Sequence, residues 1–173
     1  MTTSPNKPTT IWQDPDVKAS DRLDALIADM SLPEKLAQLG SVWLGFDVQT
    51  GEVAPMQNVF SRHVSWPESV QEGIGHLTRV FGTGPVTAAE GVQRVRELQG
   101  TLVSSTRLGI PAIVHEECLT GFTTFGATVY PTALAWAATF DPGLVNEMAS
   151  AIGRDMAAVG VHHGLVAGAG RGS

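Results

Sequence analysis

Residues Gly109–Phe122 read G-I-P-A-I-V-H-E-E-C-L-T-G-F. An unbroken apolar run, Ile110–Val114, leads straight into an imidazole and two carboxylates, His115, Glu116 and Glu117. A run of that kind suits a strand buried on both faces, as in a parallel sheet. Pro111 costs little near the strand start, where a missing N–H leaves few ladder bonds unmade. Three ionisable groups at the end of such a strand are costly to desolvate, so they need a reason to be there. In parallel α/β sheets the carboxyl ends of the strands carry the site. His115, Glu116 and Glu117 are therefore candidate site residues, and Gly121 marks the turn after them. The bland alternative is that one glutamate is solvated and the other caps a neighbouring helix.

The remaining segments fit around that strand. Residues 1–20 are a polar, Pro-containing tail and an extended lead-in. From Asp21, the apolar Leu23, Leu26, Ile27 and Met30 recur at helical spacing. Ser31-Leu32-Pro33-Glu34 forms a capping box, and a short helix with Leu36 and Leu39 on one face ends at Gly40. Ser41–Phe46 is a candidate strand, and Asp47 stands at the strand-end position that the two glutamates occupy. The stretch 50–72 reads as a long loop, which in a compact domain is usually functional. Ile74–Val80 is a possible short strand. A second capping box, Thr87–Glu90, opens a long helix to about Thr106, with Val92, Val95, Leu98, Leu102 and Val103 inward. Phe122–Thr132 reads as loop. Asp141-Pro142 starts another helix, with Leu144, Val145, Met148, Ile152 and Met156 as its stripe and Gly160 at its end. Val161–Leu165 would be the next strand. Strands alternating with helices mean right-handed βαβ units on a parallel sheet, an α/β fold.

Composition closes several routes. The 173 residues suffice for one domain, and 11 basic against 17 acidic residues give a net charge of −6. No basic patch stands out, so nucleic acid is not an expected partner. No apolar run approaches ~18 residues, so no membrane span is expected. A single cysteine, Cys118, makes no disulfide framework within the chain, and with no leader-like segment the chain fits the cytosol, so a cytoplasmic location is expected. Cys118 sits beside two carboxylates, which raises a thiol pKa and argues against a nucleophile. No glycine-rich phosphate loop and no G-x-S-x-G occur. His115, His162 and His163 could in principle share a metal, but a set of ordinary packed or solvated histidines is the better reading, and neither a metal nor a cofactor is expected.

Four stretches in order carry a resemblance. Asp21–Leu26 through Met30-Ser31-Leu32-Pro33-Glu34-Lys35-Leu36-Ala37-Gln38-Leu39, Leu108–Gly121 with its H-E-E, Tyr130–Asp141 (Y-P-T-A-L-A-W-A-A-T-F-D), and Gly153-Arg154-Asp155 with Gly160-Val161 together resemble the N-terminal domain of glycoside hydrolase family 3. The resemblance spans about residues 11–165. It implies a (βα)8 TIM barrel, here only its first two to three βα units, over residues 21–165. It also implies a retaining β-glucosidase or β-xylosidase whose partner is a β-linked glycoside. On that resemblance Glu117 matches the carboxylate that holds sugar hydroxyls in the −1 subsite. Glu116 matches no family role, and its expected task is to orient His115 or Glu117. His115 and Asp47 complete the candidate substrate-binding set.

A whole barrel takes about 250 residues, so the chain is expected to be a partial one. The family's nucleophile Asp and its acid/base carboxylate have no counterpart in the sequence, so no catalytic residue is assigned. Residues 166–173, V-A-G-A-G-R-G-S, abandon the unit that Val161–Leu165 begins, and are expected to be a flexible or frame-shifted tail. Three readings follow: a truncated hydrolase inactive by itself, a carbohydrate-binding or regulatory fragment using Glu117 with Trp43, Phe46 and Trp66, or a half that pairs with a separate remainder of the enzyme.

Overall fold

The computed structural model describes residues 10–43, 66, 70–82 and 84–165. Asp47, Phe46, most of the expected 50–72 loop and the tail 166–173 lie outside them. After a single 3-10 turn at Ile11–Gln13 come α1 (Ala19–Asp29), α2 (Leu32–Gln38), β1 (Ser41–Trp43), β2 (His76–Thr78), α3 (Ala88–Ser105), β3 (Ile113–Glu117), α4 (Ala133–Ala137), α5 (Pro142–Ala158) and β4 (His163–Leu165).

The helix starts follow their local signals. Ser31 Oγ accepts from the Glu34 N–H at 3.3 Å while Glu34 Oε2 accepts from the Ser31 N–H at 2.8 Å. Thr87 and Glu90 make the same reciprocal pair at the head of α3. Asp141 Oδ1 caps α5 by accepting from the Leu144 N–H at 3.0 Å. Each arrangement satisfies amides that the first helical turn leaves without a partner.

All strand pairings are parallel, and the spatial order β1-β2-β3-β4 is the sequence order. A doubly wound sheet reverses its order at a switch point; this one never does, which makes it an arc of a (βα)8 barrel. Registered residues share a face. Ser41, His76 and Ile113 lie in one row; Trp43, Thr78, His115 and His163 lie in another. Both rows are on the open face, where Ile113 is 44% and Leu165 40% exposed. The other face is covered, and Leu77, Val114 and Glu116 on it are completely buried. Its core is shared with Val95 and Leu102 of α3 and Ile152 and Met156 of α5.

The central strand begins later than its apolar run suggests. Gln99 of α3 takes both backbone groups of Ala112: its Nε2 donates to the Ala112 carbonyl at 2.7 Å and its Oε1 accepts from the Ala112 N–H at 2.9 Å. The ladder therefore starts at Ile113, whose N–H donates to the Gly75 carbonyl at 2.9 Å. His115, Glu116 and Glu117 lie inside the strand rather than after it. The expected burial on both faces is likewise replaced by one covered and one open face.

Some expected core positions face out. Val103 is 52% exposed and Leu144 41%, each at the edge of its helical stripe. In α1 and α2 the stripe residues Leu23, Ile27, Leu36 and Leu39 are all exposed, Leu26 is partly buried, and of the apolar positions only Met30 at their junction is buried. No helix among the described residues is long and apolar enough to cross a membrane.

Candidate functional site

Strand alternation decides what the H-E-E sequence can do. His115 and Glu117 stand on the open face of β3, partly exposed, and Glu116 points the opposite way with no exposed surface. Glu116 thus points away from both His115 and Glu117, into the covered side of the sheet. Its Oε1 accepts instead from the Phe81 N–H at 2.7 Å, in the loop after β2. Burial pushes its pKa up to about 7, against the pull of the Phe81 and Gly82 amides and of Arg79.

His115 has ring neighbours on both sides. Its centroid lies 5.5 Å from that of His76 on β2 and 6.3 Å from that of His163 on β4, and those two lie 6.5 Å apart. Desolvation, then the two nearby imidazoles, lower the His115 pKa, so its neutral form is favoured. His162 is not part of this group. Its Nδ1 accepts from the Val114 N–H at 3.0 Å and serves the sheet. His76 is the member that sequence reading missed; one His in G-I-G-H-L-T carries no local sign that the register will bring it beside two others. Among the described residues no group of three or more His, Cys, Asp or Glu is placed to hold a metal ion.

The strand ends are closed by two loops. Arg79 at the end of β2 has a left-handed backbone, φ 52°. Its N–H donates to the His115 carbonyl at 3.0 Å, its Nη2 donates to the Gly82 carbonyl at 2.8 Å, and its guanidinium lies 4.8 Å from the Trp43 ring. After β3 the Thr123 N–H folds back onto the Glu117 carbonyl at 3.0 Å. Between the loops lies a cleft of about 350 Å³, walled by Phe81, Gly82 and Pro85 on one side and Thr120, Phe122 and Phe125 on the other. Cys118 is buried in the core, and burial followed by Glu116 and Glu117 pushes its thiol up to about 11, which keeps it protonated and unreactive. Trp66 is partly buried and packs against the core.

A parallel sheet in sequential order, with Glu117 at the carboxyl end of its third strand, has a counterpart among known domains. The family model of the glycosyl hydrolase family 3 N-terminal domain covers residues 31–166. The chain belongs to glycosyl hydrolase family 3. It is 29% identical over 145 residues to a protein of Formosa agariphila that carries a β-xylosidase name, covering 82% of this chain and 18% of that protein. It is 28% identical over 172 residues to one of Aspergillus oryzae named as a β-glucosidase, covering 92% of this chain and 25% of the relative. A solved β-glucosidase structure from Erythrobacter marinus superposes with a TM-score of 0.66 at 29% identity, over 92% of this chain and 20% of that one. The family 3 chain described here thus spans about a fifth to a quarter of the length of these relatives.

Proposed function

We propose that this family 3 chain supplies part of the sugar-binding wall of a retaining β-glycosidase acting on β-glucosides or β-xylosides. The observation that carries the reading is the place of Glu117, at the carboxyl end of β3 on the open face, while Glu116 is turned under the helices. A carboxylate in that place can accept two charge-assisted hydrogen bonds from adjacent sugar hydroxyls. Such bonds strengthen as the ring approaches an oxocarbenium-like transition state. The β-xylosidase and β-glucosidase names of the relatives support the substrate class.

Retention takes two carboxyls about 5–5.5 Å apart on either side of the scissile bond, one as nucleophile and one as acid/base. Glu116 and Glu117 cannot be that pair, because successive strand residues point to opposite faces. The chain is therefore expected to bind without turning over, and to need the remainder of a family 3 enzyme for hydrolysis.

Saturation-transfer NMR of the 173-residue chain with methyl β-D-glucopyranoside and methyl β-D-xylopyranoside tests this. Transfer to one of them is expected. Glu117→Ala should weaken binding about tenfold or more, since a hydrogen bond to a charged group contributes roughly 1.5–3 kcal/mol. Binding untouched by Glu117→Ala would remove the carboxylate from the site. Hydrolysis of p-nitrophenyl β-glycosides that vanishes in Glu117→Ala would instead show that a local carboxylate is catalytic.

A further inference from the structure

Glu116 is the carboxyl that the proposed sugar contact leaves unused, and no part of it reaches solvent. Oε1 takes the Phe81 amide at 2.7 Å, and Oε2 is buried without a hydrogen-bond partner. The Phe81 ring cannot follow the backbone freely. It is fully buried, meets the Phe122 ring edge-on at 5.6 Å and lies directly over Gly91 of α3. The next residue is held from the other side, where the Gly82 carbonyl accepts from Arg79 Nη2 at 2.8 Å. There is no slack at Gly82 either: a Cβ added there would come within 3.0 Å of Glu116 Oε2 and of the Thr123 carbonyl. Phe81 and Gly82 are also one wall of the strand-end cleft, and Thr123 belongs to the opposite wall.

We propose that Glu116 is a positioning residue that grips the Phe81–Gly82 backbone when ionised and loosens it when protonated, so that the width of the strand-end cleft follows the protonation of one buried carboxyl. An ionised acceptor makes a shorter hydrogen bond to an amide, roughly twice as strong as a neutral one. A protonated Glu116 keeps one weaker acceptor and gains an O–H donor, with Oε2 lodged against Gly82. The charges around it are few. Arg79 at the end of β2 favours the ionised form, and Glu117 on the same strand opposes it. Cys118 remains a neutral thiol, and His115 faces the other side of the sheet. With burial the largest influence, the change falls in the neutral range, near pH 7.

The grip is independent of the sugar-site reading; the effect on binding rests on it, and the two are measured separately. In the wild-type 173-residue chain, NMR of the Phe81 amide and of the Glu116 carboxyl carbon is followed from pH 5 to 9. Both signals are expected to move together with one midpoint near 7, the amide shifting downfield as the carboxyl ionises. In Glu116→Gln the Phe81 amide should no longer titrate. An amide that stays flat in the wild type, or one that still titrates in Glu116→Gln, overturns the grip. The wild-type measurement decides even if the variant fails to fold. Binding of methyl β-D-glucopyranoside and methyl β-D-xylopyranoside is then measured at pH 5.5 and 8.5. At least about a fivefold difference, lost in Glu116→Gln, is expected for a coupling of ordinary size. Binding that is insensitive to pH while Phe81 titrates overturns the control of the cleft. No binding of either glycoside at any pH sinks the sugar-site reading, and with it that control, while the Phe81 titration still judges the grip.

Discussion

Gly91→Ala is expected to lower the melting temperature, although alanine is the better helix former. Gly91 lies in the first turns of α3, where the exchange alone would contribute about 1 kcal/mol in favour of folding. The added Cβ would stand 2.0 Å from Phe81 Cε1 and 2.3 Å from Cδ1. That ring is enclosed, and its backbone is fixed by Glu116, so it cannot swing aside. Overpacking of a filled core costs about 1–3 kcal/mol and sometimes more, and contacts this short belong at the upper end. The clash therefore outweighs the propensity, with a net loss of about 2 kcal/mol and a fall of roughly 4–8 °C for a chain of this size. Gly100 is the control. It sits in the same helix with nothing within 4 Å of its added Cβ, so Gly100→Ala should raise the melting temperature by a few degrees. Calorimetry of the two variants should give opposite signs. Two increases would mean that Phe81 is not seated tightly on α3. Phe81→Leu placed on Gly91→Ala should recover part of the loss, because the two residues touch and their effects are coupled.

Elements fixed by neighbours in sequence were legible in it. The capping boxes at Ser31 and Thr87 and the Asp141 cap need only residues three apart, and all three form where the pattern puts them. The parallel alternation of strand and helix was equally readable, since it rests on periodicity. The register of β3 was not. It depends on Gln99, thirteen residues earlier, whose side-chain amide occupies the backbone of Ala112. Which carboxylate faces the open side follows instead from which parity of β3 the helices cover, that of Ala112, Val114 and Glu116, so Glu116 could be named as a site candidate from sequence but its direction could not. The histidine cluster was hidden because His76, His115 and His163 meet only through strand pairing. The burial of α1 and α2 was overread: an amphipathic stripe says which face seeks cover, not whether the described residues provide it.

Arg107→Ala is expected to detach the α1–α2 pair from the sheet and to shift acid unfolding upward. Arg107, in the turn between α3 and β3, is the polar clasp that reaches both helices. Its Nε donates to Glu34 Oε1 at 2.8 Å and its Nη2 to Glu34 Oε2 at 2.6 Å, a fork-to-carboxylate pair. Nη2 also donates to the Asp29 carbonyl at 2.8 Å, and Nη1 lies 3.3 Å from Asp29 Oδ1. Since α1 buries no residue, apolar packing cannot replace the clasp there. Removing the guanidinium leaves the Glu34 carboxylate buried with only its capping contact to Ser31, and stranding one partner of such a pair is far worse than replacing both. Hydrogen exchange should show protection lost in α1 and α2 but kept in α3 and β3. The pH dependence is a second readout. The Arg107 guanidinium, then the Ser31 amide, hold Glu34 at about 2, below its ordinary 4.5. A lowered carboxyl contributes stability that is complete above about 4.5 and is lost as pH falls toward 2. Glu116 has the opposite sign: raised to about 7, it costs stability progressively as pH rises from 4.5 through 7, on the order of 3 kcal/mol in full. The wild-type chain should therefore be most stable near pH 5, between these two limbs. In Arg107→Ala the acid limb should move up toward pH 4 while the limb set by Glu116 stays, and Arg107→Lys, which keeps the charge without the planar fork, should fall between. An acid limb unmoved in Arg107→Ala would show that the clasp is not what keeps Glu34 ionised. Protection lost evenly across the sheet would show that α1 and α2 do not open as a separate unit.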